Sequence, residues 1–194
     1  MDVHTQTLLN NHPCFNKGAA VNWGRVHLPV APNCNIQCNF CNRMYDCANE
    51  NRPGVTQKVY TPDEAVAYLE KLFKDRQDIS VIGIAGPGDP MCDADKTLPT
   101  FEKCRARFPH LMLCLSTNGL ALPEHVDDIV RIGVSHVTVT VNAVTPSVGG
   151  KVYAWVRYNG KTYTGEEGAA ILLARQDEGI RKLKEAGSMS LKTN

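Results

Sequence analysis

Cys34-Asn35-Ile36-Gln37-Cys38-Asn39-Phe40-Cys41 sets three thiols at C-x3-C-x2-C spacing, on a loop just after the apolar run Val26 to Val30. Three thiolates so placed can close on three corners of one iron–sulfur cube. The fourth iron is then left without a protein ligand. A four-cysteine site ties up every iron and suits electron transfer, whereas an open iron can chelate a small molecule and do chemistry on it. From spacing alone the same residues also suit half of a zinc site or a disulfide. Zinc, however, takes four ligands in paired spacings, and no second C-x2-C follows in this chain.

Other residues able to do chemistry are spread along the chain. His12-Pro13-Cys14 lies in a polar segment and, alone, reads as a free thiol on an arm. His27 alternates with Val26 and Leu28 in a short strand one step before the cysteine loop; a lone strand histidine is more often a core or surface residue than a ligand. Cys47 and Glu50-Asn51-Arg52-Pro53 fall in a long polar loop, where function usually sits. Cys114 in a buried strand reads first as a small hydrophobe. Gly86-Pro87-Gly88-Asp89-Pro90 ends an apolar strand, with glycines that permit close backbone approach and a carboxylate at the strand's C-terminal end. Ser116, Thr117 and Asn118 end the next strand, where they can bond a ribose or carboxylate. In the strand after that, a two-residue period puts Thr138, Thr140 and Asn142 on one polar face.

The elements that must position these residues alternate. Strands are expected over Gly24 to Pro32, Ile79 to Ala85, Leu111 to Ser116 and His136 to Asn142. Helices are expected from Pro62 to about Arg76, from about Leu98 to Arg107, from Pro123 to Ile132, and from Thr164 to Gly187. Thr61 and Glu64 form a capping box at the first of them, with Pro62 at its first turn. Tyr153 to Tyr158 is read as loop. Such alternation implies α/β architecture, a parallel sheet with right-handed crossovers and outer helices. The chemistry-bearing motifs fall at strand C-terminal ends, the active face of a (β/α) barrel. About four units are present, so the barrel is incomplete: an N-terminal arm, 1–23, then a partial barrel, 24–194, in a single domain. Ser188 to Asn194 can begin a fifth strand, although it lacks the apolar run expected of one, and the chain is expected to be truncated relative to a full barrel.

The 194 residues suffice for one domain with a core, at 43% hydrophobic and 21% charged content. Net charge +1 and scattered basic residues leave no electrostatic footprint for nucleic acid. No apolar leader or membrane-length run is present, so a cytoplasmic protein is expected. Eight cysteines in a reducing compartment read as metal ligands or buried hydrophobes rather than disulfides.

The three-cysteine motif, with aromatic Phe40 before its last cysteine, resembles that of radical S-adenosylmethionine (SAM) enzymes. Taken with His12-Pro13-Cys14, Asn42, Glu50-Asn51-Arg52-Pro53, Ala85-Gly86-Pro87-Gly88-Asp89-Pro90 and Thr138-Val139-Thr140-Val141-Asn142, it resembles the NifB family, the radical SAM maturases of the nitrogenase cofactor. The resemblance runs from about residue 12 to 187 and implies a radical SAM enzyme. It implies that Cys34, Cys38 and Cys41 hold a 4Fe-4S cluster whose open iron binds SAM. SAM would lie among Phe40, Gly86, Gly88, Asp89, Ser116, Asn118 and Asn142. Two further 4Fe-4S clusters would be substrates, fused with a carbide from SAM and an added sulfur into an 8Fe-9S-C precursor. His27, Cys47 and Cys114 would hold one and Cys14 the other, with His27 and Glu50 serving in catalysis. Partners would be an iron–sulfur cluster donor, cofactor carrier or scaffold proteins, and an electron donor, with no nucleic acid and no membrane. The family's C-terminal Cys-x-x-Cys-Arg motif is absent, so this chain alone is expected not to complete the fusion. Two other readings compete: a different radical SAM reaction on an organic substrate or as an activase, and a non-catalytic iron–sulfur carrier.

Overall fold

The computed structural model describes residues 12–13, 16–42, 58–187 and 189–194. Cys14, Cys47 and Glu50 therefore lie outside the described residues.

Five parallel strands form the main sheet, in the order β1 (Gly24–His27), β3 (Ile79–Ile84), β4 (Met112–Thr117), β5 (His136–Val139), β8 (Ser190–Thr193). A short helix α1 (Lys17–Asn22) leads into β1. Connecting β1 to β3 is α2 (Pro62–Asp75), whose Thr61 side chain accepts from Glu64 N while Glu64 accepts from Thr61 N, the expected capping box. Helix α3 (Ala94–Arg107) begins four residues earlier than expected. Pro99 falls inside it rather than opening it, because Asp93 O already accepts from Lys96 N and Thr97 N at 2.9 Å each. A 3₁₀ turn (Leu122–Glu124) and α4 (Val126–Ile132) follow β4, and Gly133, at φ 78°, stops α4 in the left-handed conformation that glycine tolerates.

One expectation from sequence is corrected and one left open is settled. Residues 153–158 are not loop: β6 (Tyr153–Tyr158) pairs with β2 (Ile36–Cys38) and β7 (Lys161–Tyr163) in a separate antiparallel sheet. The possible fifth strand at the end of the chain does form, as β8, parallel to β5 with Val137 opposite Leu191. An edge strand needs apolar side chains on one face only, and Met189 and Leu191 supply them by packing against the main core. Before β6 comes α5 (Pro146–Val152); α6 (Gly165–Ala186) joins β7 to β8 and ends at Gly187, φ 67°.

The main core lies between the sheet and its helices, where Ile82, Leu113, Leu115 and Val137 meet Leu69, Phe101 and Ile129. A second core, around Ile36, Leu120, Val156 and Leu172, backs the cysteine loop and has Cys34 and Cys38 packed against it. In-register neighbours in a parallel sheet share a face. His27, Gly83, Cys114 and His136 are matched residue for residue across β1, β3, β4 and β5, on the face away from the main core. One row lower, Val81 and Met112 are paired and buried, giving that face an apolar floor.

Candidate active site at the strand C-termini

The cysteine loop is held from three sides. Within it, Gln37 Nε2 donates to the carbonyls of Cys38 (2.9 Å) and Cys41 (2.8 Å), and Cys41 N donates to Cys38 O. From the small sheet, Arg157 N donates to Asn35 O at 2.8 Å; at the end of α5, Asn39 Nδ2 reaches Lys151 O at 2.7 Å. From α3, the Asp93 carboxylate takes both Asn33 N and Asn33 Nδ2 at 2.8 Å, fixing the residue immediately before Cys34. The β3–α3 turn closes the clamp: Gly88 N donates to Ala31 O at 2.6 Å and Asp89 N to Asn33 O at 2.7 Å.

One pocket brings together Cys34, Cys38 and Cys41 with Phe40, Gly88, Asp89, Ser116, Asn118 and Asn142, and with Thr140 and Pro87. Gly86 stands behind it, at φ 148°, and delivers Pro87 to the wall. Phe40 is half exposed at the rim. Asp89 is 3% exposed, and its carboxylate accepts from Met91 N, Cys92 N, Thr117 Oγ1 and Asn118 N. Burial pushes this carboxyl above the ordinary aspartate range, and those four donors pull it back. With N–H groups on both oxygens, the carboxylate form is the one that all of these donors satisfy. Asp89 thereby ties the end of β4 to the β3–α3 turn.

Two amides reach the thiols. Asn118 Nδ2 lies 3.7 Å from Cys34 Sγ, while also donating to Asn35 Oδ1 at 2.7 Å. Asn142 Nδ2 lies 4.0 Å from Cys38 Sγ, and its backbone N donates to Tyr153 Oη at 3.3 Å. N–H donors at a cluster's sulfurs stabilise the thiolates and raise its potential. The site's donor set therefore fits an iron–sulfur cube with room beside it for a ligand. Among the described residues no three His, Cys, Asp or Glu side chains converge on a single-ion site.

Below this pocket, on the same face of the sheet, lies the row His27, Gly83, Cys114, His136. A Cβ at Gly83 would sit 3.1 Å from His27 Cε1 and 3.2 Å from Nδ1, so the imidazole lies across the glycine toward Cys114. His12 packs its ring on His136, centroids 4.2 Å apart. Desolvation lowers His12 to about 3 and His136 to about 4, so both rings are neutral at ordinary pH. By contrast Cys104 is a core residue whose thiol burial pushes up to about 12, far from thiolate chemistry.

Several of these residues drew no attention in the sequence. Asn33, Asp93 and Gln37 build the clamp, and Gln176 of α6 joins β4 to β5 by donating to Asn118 O (2.7 Å) and Thr140 O (3.0 Å). Gln37 alone had a local signal, lying inside the cysteine motif. Among the described residues no helix is long and apolar enough to cross a membrane.

The family model described as the radical SAM superfamily matches residues 28–193. The chain is 48% identical over 179 residues to the FeMo cofactor biosynthesis protein NifB of Chlorobaculum tepidum, covering 92% of this chain and 42% of that protein. It is 48% identical over 190 residues to that of Sinorhizobium fredii (98% and 38%) and 49% over 179 residues to that of Bradyrhizobium diazoefficiens (92% and 36%). The chain thus spans about two fifths of the length of these curated relatives. A solved structure titled native anSMEcpe with bound AdoMet has a TM-score of 0.54 at 11% identity, covering 87% of this chain and 43% of that one; this likeness is one of fold.

Proposed function

We propose a function from one premise, that this chain belongs to the radical SAM superfamily: it is an enzyme of nitrogenase cofactor biosynthesis, acting on iron–sulfur clusters. The observation that carries the reading is the pocket in which Cys34, Cys38 and Cys41 meet Asp89, Asn118 and Asn142 at the C-terminal ends of parallel strands. The three cysteines hold a 4Fe-4S cluster, and Ser116, Thr140 and the Gly86–Asp89 turn shape the space in which SAM binds against it. A reduced cluster held by these cysteines would supply the one electron needed to split SAM into methionine and a 5'-deoxyadenosyl radical. Asn118 and Asn142 steady the thiolates of Cys34 and Cys38, and Phe40 shields the rim.

The similarity to NifB proteins supports the finer reading. In that reading two 4Fe-4S substrate clusters are fused, with a SAM-derived carbide and an added sulfur, into the 8Fe-9S-C precursor. To that step this chain, without the Cys-x-x-Cys-Arg motif, contributes the SAM site and part of the cluster ligands, and it does not complete it alone. In this chain His27 and Cys114 hold one of them on the inner face of the sheet; Cys47 adds a thiolate, Cys14 serves the other cluster, and Glu50 handles protons. Few and mixed ligands suit a substrate that must leave as product. An iron–sulfur donor, a cofactor carrier or scaffold and an electron donor are the partners this chemistry needs.

Anaerobic reconstitution with iron and sulfide tests the proposal. The chain is expected to take up clearly more iron than one 4Fe-4S cluster. Cys114→Ala is expected to lower that excess by about one cluster's worth while leaving SAM cleavage within about twofold. Iron that stops at one cluster and is indifferent to Cys114 would contradict the assignment and leave a radical SAM enzyme of organic substrates.

A further inference from the structure

Strands β4 and β5 stay in register as far as Thr117 opposite Val139, and Thr140 N still donates to Thr117 O at 2.9 Å. Just beyond, Asn118 and Thr140 stand on the pocket wall, and a side chain takes over from the ladder. Gln176 Nε2, from α6, donates to Asn118 O at 2.7 Å and to Thr140 O at 3.0 Å. Carbonyls only accept, so the nitrogen must face both of them and the amide cannot be turned over.

Gln176 is 2% exposed, and among the described residues its Oε1 has no hydrogen-bond partner. A buried acceptor left unmet is costly, and an apolar side chain of the same size would avoid that cost. The amide's contribution is therefore the bridge made by its nitrogen. Room for the arm comes from Gly119, at φ 85°, where a Cβ would sit 2.9 Å from Gln176 Cγ and 3.0 Å from Val139 Cγ1. Beside Gln176 on α6, Arg175 donates to Leu120 O at 3.2 Å and is ion-paired with Glu124 and Glu178. The helix is thus pinned to the turn that follows β4.

We propose that Gln176 is a positioning residue for SAM: from outside the pocket it fixes how far Asn118 stands from Thr140. This rests on the reading that SAM binds in this pocket against the cluster. Asn118 has its N–H on Asp89, its Nδ2 on Asn35 and near Cys34 Sγ, and its carbonyl on Gln176. Thr140 belongs to the strand on the other side of the joint. Without the bridge the two strand ends can part, and the pocket loses its fit to SAM. The cysteine loop is clamped independently, by Asp93 on Asn33 and by Gln37 on the carbonyls of Cys38 and Cys41.

Gln176→Met keeps the length of the arm and removes both donors. In the full chain, reconstituted and reduced, the SAM concentration that produces half of the EPR change is expected to rise about tenfold. Iron per chain stays at the wild-type level, and 5'-deoxyadenosine formation at saturating SAM stays within about threefold. Leu183→Ala, a core change on the same helix, is the control: it lowers the thermal midpoint and leaves the half-saturating SAM concentration unchanged. If Gln176→Met does not load its cluster, Gly119→Ala decides, since it keeps the amide and displaces the arm; the same rise is expected. An unchanged half-saturation in the loaded variant, or an equal rise in Leu183→Ala, overturns the assignment. So does failure of both Gln176→Met and Gly119→Ala to load iron where Leu183→Ala loads it. A wild-type spectrum indifferent to SAM overturns instead the reading on which the proposal rests.

Discussion

Gly88→Ala is expected to leave the chain unable to load its SAM cluster. A Cβ at this position would sit 2.0 Å from Asn33 O, 2.4 Å from Asn33 C and 2.8 Å from Pro32 C. These are backbone atoms of the residues just before Cys34 and have no rotamer to escape into. Either the β3–α3 turn swings away, breaking Gly88 N to Ala31 O and Asp89 N to Asn33 O, or the Pro32–Asn33 segment retreats and takes Cys34 with it. Forced overpacking of this kind costs about 3 kcal/mol or more, read as a drop in thermal midpoint, with iron per chain falling by about one cluster's worth. Gly160→Ala is the control. It sits at φ 74° in the β6–β7 turn with nothing within 4 Å, so it costs about 1–2 kcal/mol of backbone strain and should load iron as the wild type does. Full iron loading by Gly88→Ala would show that the clamp does not position the cysteines.

Asp89→Ala is expected to have the next largest effect. The carboxylate satisfies Met91 N, Cys92 N, Thr117 Oγ1 and Asn118 N in a site 3% exposed, where water cannot replace it. Removing it orphans buried donors, and each hydrogen bond to a charged group is worth about 1.5–3 kcal/mol. The sum is not additive, and a loss of about 3–5 kcal/mol in urea denaturation is the expected range. SAM affinity should fall in parallel, because Asn118 is freed from the position in which it meets Cys34 and Asn35. Asp89→Asn keeps one oxygen but turns an NH₂ toward N–H donors, so it should fall between the two. A wild-type denaturation midpoint for Asp89→Ala would mean that Thr117 and Asn118 are held by other contacts.

Local signals in this sequence were readable because their physics is local. The cysteine spacing, the Thr61–Glu64 capping box and Gly133 each act within a few residues. The β6–β7 hairpin also had a local signal, Asn159-Gly160 at φ 49° and 74°, a turn pair that favours hairpins. It was obscured because β6 does not alternate cleanly: Tyr153 and Val156 are the buried positions, three apart, and the register with β2 shifts between Gln37 and Cys38. The fifth strand was only weakly signalled for a different reason, since Ser190–Thr193 becomes a strand through pairing with β5 rather than through its own composition. Asp93 with Asn33, sixty residues apart, and Gln176 with Asn118 and Thr140 exist only once the strands are laid side by side. The row of His27, Cys114 and His136 is likewise a property of register, which a single-residue slip would destroy.

The most direct test of the central claim is the low-temperature EPR spectrum of the reconstituted, reduced chain with and without SAM, paired with detection of 5'-deoxyadenosine. A spectrum that changes when SAM is added, with 5'-deoxyadenosine formed and both lost in Cys34→Ala, is the predicted result. A reduced cluster whose spectrum ignores SAM, with no 5'-deoxyadenosine, would contradict the account and leave an iron–sulfur carrier on a radical SAM fold.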